Sequence, residues 1–160
     1  MMIRVQHDDF DPGAEQAALV AGRRDIGAVV SFVGLVRDLA PAGATDALAA
    51  MTLEHYPGMT ETMLTDIEAE ANRRWPLDAS LIVHRYGRME PGERIVLVVC
   101  ASAHRAAAFE ACAFLVDWLK TKAPFWKLEE SADGANWVEA RAEDDAAAER
   151  WAAPAPKAAE

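Results

Sequence analysis

The sequence holds two cysteines, Cys100 and Cys112, in 160 residues. Two thiols cannot build a disulfide framework, and their separation is not a zinc-ligand spacing, so a bridged secreted scaffold and a structural zinc site are both excluded. Long apolar runs are missing. The longest, Ile95 to Ala101, is seven residues, where a bilayer span needs about 20. Positive charge is scarce: 16 Lys and Arg face 26 Asp and Glu, for a net charge of −10. So acidic a chain is unsuited to general binding of nucleic acid or anionic membrane. The opening MMIRVQHDDFDPG has no apolar core and turns acidic at once, so it does not read as a secretory signal. No P-loop, G-x-G-x-x-G, C-x-x-C, H-E-x-x-H or G-x-S-x-G occurs. The four histidines, His7, His55, His84 and His104, lack metal-ligand spacing. The expectation is a reduced, soluble, cytoplasmic protein with no metal and no cofactor.

What is present suits one core. Hydrophobic residues reach 52%, enough for a single domain over residues 1–151, followed by a disordered Ala/Pro tail, 152–160. Strands are expected at Ile3–Val5, Gly27–Val36, Met51–Tyr56, Ser80–Tyr86 and Arg94–Ala101. A hairpin of 125–130 with 136–140 is expected around Asp133-Gly134. Gly34 marks a bulge or a close backbone approach. The small-residue stretch Asp38–Ala50 reads as a mobile loop. The run Arg94–Ala101 is apolar throughout, so both its faces are expected to be covered. Short helices are expected at 14–21 and 142–151. The main helices begin at Thr60, capped by its hydroxyl and stapled by Met59 and Leu64, and at His104, capped by Ser102. Their apolar stripes are Met63, Leu64, Ile67, Ala71 and Trp75, and Phe109, Cys112, Ala113, Val116 and Leu119. The class that follows is α+β: a mixed, mainly antiparallel sheet packed by two main helices in a single domain.

One cationic stretch stands out. Between Ser102 and Lys127 four cations (Arg105, Lys120, Lys122 and Lys127) face only Glu110 and Asp117, so this stretch carries +2 and the remainder −12. Lysines at a helix C-terminus complement its dipole, which accounts for Lys122. Lys120 and Lys127 flank the stiff segment TKAPFW, which is expected to hold a lysine partly dehydrated, the setting an acid/base or nucleophilic amine needs. Ser102-Ala103-His104-Arg105 places donors where a strand meets a helix start, a place suited to an anion. Arg37 and Arg141 are candidates to join through folding. His55 and His84, within strands, read as hydrogen-bonded packing residues, and the two cysteines as small hydrophobes.

The blocks LEHYPGMTE (53–61), NRRWP (72–76), SAHR (102–105), LKTKAPFWK (119–127) and WVEAR (137–141) resemble the large, catalytic subunits of molybdopterin synthases, over roughly Gly27–Trp151. The resemblance implies a homodimer, each copy also binding a small ubiquitin-like sulfur-carrier subunit, together a heterotetramer. It implies a sulfurtransferase of molybdenum cofactor biosynthesis. The partner's C-terminal Gly-Gly thiocarboxylate gives sulfur to cyclic pyranopterin monophosphate, twice, to build the molybdopterin dithiolene. The catalytic lysines of the family fall on Lys120 and Lys127, and its anion-binding positions on Arg37, His104, Arg105 and Arg141. The sequence departs from the family in the Ala-rich stretch Ala40–Ala50 and in the tail after Trp151.

A substrate phosphate accounts for a local cationic site, and sulfur arriving on a partner removes the need for a reactive cysteine. His104 and Lys120 lie 16 residues apart on one expected helix, roughly 24 Å at 1.5 Å per residue. If both touch one substrate they come from different chains, which makes the site composite. Two other readings compete with the enzyme: a non-catalytic module that binds an extended tail along a sheet edge, and a small regulatory domain that binds a phosphoryl ligand at the SAHR helix start.

Overall fold

The computed structural model describes residues 2–38, 48–132, 134–138 and 142–152. Of the expected tail, 152–160, all but Ala152 lies outside the described residues, as do residues 39–47 of the expected loop. Among the described residues two four-stranded sheets are formed. The first has the order β1 (Met2–Gln6), β4 (Ala79–Arg85), β6 (Arg94–Ser102), β2 (Ala28–Leu35). Its β1 and β4 are parallel, its other pairs antiparallel. The second has the order β5 (Gly87–Met89), β3 (Leu48–His55), β7 (Phe125–Ser131), β8 (Gly134–Val138), all antiparallel. Four helices complete the described residues: α1 (Pro12–Val20), α2 (Met59–Arg74), α3 (Arg105–Lys122) and α4 (Ala142–Glu149). The α+β class holds, with two helices, α2 and α3, carrying the main core.

The apolar periods set the layers. Leu64, Ile67, Ala71 and Trp75 from the α2 stripe pack with Ala107, Ala111, Cys112, Phe114, Leu115 and Leu119 of α3 on Ile82, Val98 and Cys100. The alternate strand residues Leu81, Val83, Leu97 and Val99 face the other way, against Phe10, just before α1, and Leu19 within it. Both faces of β6 are thus covered, as its unbroken apolar run requires. Phe114 is fully buried beside Trp75 and Trp118; truncating such a ring costs about 3–5 kcal/mol. At Gly34 the β2–β6 register shifts, and an added Cβ would lie 2.7 Å from Val96 Cγ1. The close approach read from the sequence is therefore real.

Local chemistry moves several boundaries. Leu48–Ala50 is strand, not loop, because β3 extends its pairing with β7 back to Ser131. The connection from β4 to β6 is not a simple hairpin: β5 peels off to pair with Met51–Leu53 of β3. The cap of α2 is Gly58 at φ +84°, and the Glu61 carboxylate accepts from its N–H at 2.6 Å. The Thr60 hydroxyl instead accepts from the Tyr56 N–H. Met59 remains exposed, so the expected staple is not made. Ser102 still pairs with Ala28 in the sheet, so α3 begins later, with His104 as its cap residue. The buried face of α3 centres on Ala108, Ala111, Leu115 and Leu119, which turns Phe109 outward, 62% exposed.

Candidate functional site

A two-residue link joins β6 to α3, so the helix must run back across the sheet it covers. Contact between Cys100 and Cys112 fits that direction. His104 and Arg105 therefore lie, exposed, at the Ser102 end of the first sheet. Lys120 lies at the other end, where β2 closes with Leu35 opposite Arg94. Arg37 follows β2 at that same end and is exposed. The uninterrupted α3 keeps His104 and Lys120 roughly 24 Å apart. Within one chain, Arg37 shares an end with Lys120 and not with His104 and Arg105. Arg141 lies outside the described residues.

Lys120 sits one residue past the buried Leu119, about 100° round the helix, so it is not dehydrated as expected. Its side chain is 56% exposed, and Nζ lies 3.3 Å from Asp144 Oδ1 on α4. Lys127 stands in β7 opposite Leu53 of β3 and Val138 of β8. It is half-buried, with Nζ 2.6 Å from Glu129 Oε1. The sequence reading missed both carboxylates. Glu129 follows Lys127 by the two residues that put strand side chains on one face, a signal that was present. Asp144 is on a separate helix and left no local signal.

A latch fixes the helix that carries Asp144. Trp151 Nε1 donates to Asp117 Oδ2 at 2.7 Å, Arg150 donates to the same oxygen, and Arg74 Nη1 donates to the Trp151 carbonyl at 2.8 Å. Trp151 meets the Trp75 and Phe114 rings edge-on at 5.6 and 5.7 Å. Asp117 lies one helical turn before Lys120, so α4 is held across the turn that presents this lysine.

Phe125, two residues before Lys127, stacks on His84 at 3.7 Å between centroids. Burial pushes the His84 imidazole down to about 4, and its Nδ1 donates to the Arg85 carbonyl at 2.9 Å. His84 is thus a hydrogen-bonded packing residue. His55 differs: it lies between Tyr86 and Phe125 without a hydrogen bond at Nδ1. The contact between the two cysteines pushes the Cys100 thiol up, with burial adding to it, and lowers that of Cys112; both side chains are buried, so neither is presented to an incoming substrate. Among the described residues no three His, Cys, Asp or Glu side chains could hold a metal ion. No helix among them is long and apolar enough to cross a membrane. An open groove of about 510 Å³ beside Asp9 and Arg94 contains none of the candidate residues.

The family model described as MoaE protein matches residues 5–122. This chain belongs to the MoaE family. A Pseudomonas aeruginosa relative named molybdopterin synthase catalytic subunit is 59% identical over 151 residues, covering 94% of this chain and 99% of its own length. Among solved structures, a molybdopterin biosynthesis MoaE protein from Burkholderia ambifaria is 54% identical, with a TM-score of 0.80, covering 95% of this chain and 98% of that one. A molybdopterin synthase structure from Staphylococcus aureus is 29% identical, with a TM-score of 0.76 and coverage of 85% and 96%. The MoaE match takes in Arg37, His104, Arg105 and Lys120 and ends before Lys127.

Proposed function

We propose that this chain is the catalytic subunit of a molybdopterin synthase, a cytoplasmic sulfurtransferase of molybdenum cofactor biosynthesis. It moves sulfur from the C-terminal thiocarboxylate of a small ubiquitin-like partner to cyclic pyranopterin monophosphate, two transfers forming the dithiolene. The observation that carries this reading is the α3–β7 corner, in a MoaE-family chain. Two lysines are presented there, each held by one carboxylate, and both cysteines are buried away from solvent. Ammonium groups receive an anionic sulfur donor, and the chain supplies no sulfur of its own.

In this reading Lys120 lies at the tip of the partner's tail, as acid/base or electrostatic partner of the thiocarboxylate. Lys127 positions or activates the carbon that accepts sulfur. Arg37, His104, Arg105 and Arg141 hold the phosphate and pterin and stabilise developing negative charge. Partly exposed ion pairs such as those of Lys120 and Lys127 are worth about 0–1 kcal/mol, so incoming anions displace Asp144 and Glu129 at small cost. Since His104 and Arg105 are at the far end of α3, each site takes them from the sister chain of a homodimer, within a heterotetramer. Single-turnover sulfur transfer tests the lysines. Lys120→Ala and Lys127→Ala should each slow it by about 100-fold or more, the range of acid/base catalysis. Near-normal rates in both variants would refute the assignment.

A further inference from the structure

His55 closes β3 opposite Phe125, and Leu53 stands opposite Lys127. His55 and Lys127 are therefore diagonal neighbours on one face of the sheet, a separation that long side chains bridge. The imidazole is wedged between the Tyr86 ring, 4.6 Å between centroids, and the Phe125 ring, at 6.3 Å. Its Nδ1 is buried with no hydrogen-bond partner. Nε2 also has no partner, and it is not among the fully buried atoms, so it keeps solvent access in this half-buried residue. A packing histidine secures its buried nitrogen, as His84 secures Nδ1 with the Arg85 carbonyl. His55 secures neither.

The two nitrogens are not equivalent. A neutral imidazole carries one N–H and one lone pair. An orphaned donor in the interior is rarer and costlier than an under-used acceptor. The lone pair therefore belongs on the buried Nδ1 and the proton on Nε2. This leaves a donor held beside two aromatic rings, one ladder step from Lys127, whose ammonium turns the other way to Glu129 and is free to swing back when a ligand displaces that carboxylate.

We infer that His55 is a further binding residue of the Lys127 site, donating its Nε2–H to an oxygen or sulfur acceptor of the anionic ligand that Lys127 meets. The inference rests on the assignment of Lys127 to the reaction. Two sources supply such an acceptor: the terminal group of the partner's tail and the oxygens of the cyclic pyranopterin.

Ring 15N spectroscopy of the whole chain in alkaline buffer reads the tautomer directly, then follows His55 through two separate titrations. One adds the small subunit in its carboxylate form, the other the cyclic precursor alone. The expected result is an Nε2–H tautomer whose Nε2 signal moves in one arm, which identifies the source. An Nδ1–H tautomer, or a signal unmoved in both arms, overturns the proposal. In sulfur transfer, His55→Phe keeps the ring and removes the donor, and should lower kcat/KM by about tenfold or more. His55→Gln returns an N–H near the same place and should recover most of the loss. Equal losses in both variants, or none in His55→Phe, count against the donor role. Lys127→Ala run alongside separates the two ideas. If it stays active the assignment of Lys127 fails; if it is inactive while His55→Phe is normal, only the role of His55 fails.

Discussion

Mixing two defective variants tests whether one site draws on two chains. Lys120 and His104-Arg105 occupy opposite ends of the unbroken α3, roughly 24 Å apart. One pterin phosphate cannot bridge that distance along a single helix. In the proposed two-fold dimer each site would then pair Lys120 of one chain with Arg105 of the other. With the proposed roles, Lys120→Ala should lower the rate of the chemical step and Arg105→Ala should weaken substrate binding, so each homodimer should be slow at substrate concentrations well below KM. A heterodimer of the two carries both defects in one site and neither in the other. Random exchange makes half of the dimers heterodimers, so about a quarter of all sites should be intact. The assay is sulfur transfer after unfolding and refolding the variants together, against each refolded alone. Recovery near a quarter of the wild-type rate is expected. If the mixture is as slow as its parents, the site lies within one chain and the composite arrangement is wrong.

Two further perturbations probe the supports of the site. Trp151→Phe keeps the ring but removes the N–H to Asp117, a bond to a charged acceptor worth about 1.5–3 kcal/mol, at the lower end because Arg150 still serves that carboxylate. Melting should fall by about 3–6 °C for a domain of this size, with faster amide exchange in α4; unchanged melting and exchange would contradict the latch. The His84 imidazole is held down to about 4 against an ordinary 6.5 by burial. The unfolded chain thus takes up this proton first, and stability that is complete above pH 6.5 drains away as the pH falls towards 4, by about 3 kcal/mol. Urea denaturation across that window should show the slope in the wild type and a shallower one in His84→Phe. Identical slopes would place the titration elsewhere.

The layers were legible because burial imposes periodicity. The α2 stripe, the apolar run of β6 and the pairing of β7 with β8 all follow from spacing that the sequence displays. Features that depend on a partner element were not legible. The three residues of β5 have no pattern of their own and are strand only because Met51–Leu53 offers them an edge. Phe109 fits a three- and four-residue period, but the sheet selects a face of α3 centred on small alanines. The lysines themselves stood out as charge in an acidic chain. Glu129 was legible two residues on from Lys127 in an expected strand, but the Asp144 partner of Lys120, the exposure of Lys120 and the unpaired nitrogens of His55 exist only once α4, β7 and β3 are assembled.

Mass spectrometry of the pterin after mixing this chain with a thiocarboxylated small subunit and cyclic pyranopterin monophosphate bears most directly on the central claim. The account predicts a product that has gained two sulfur atoms as a dithiolene, with the small subunit returned as its carboxylate. A pterin without added sulfur, or one that gains it equally well with Lys120→Ala and Lys127→Ala, would contradict it.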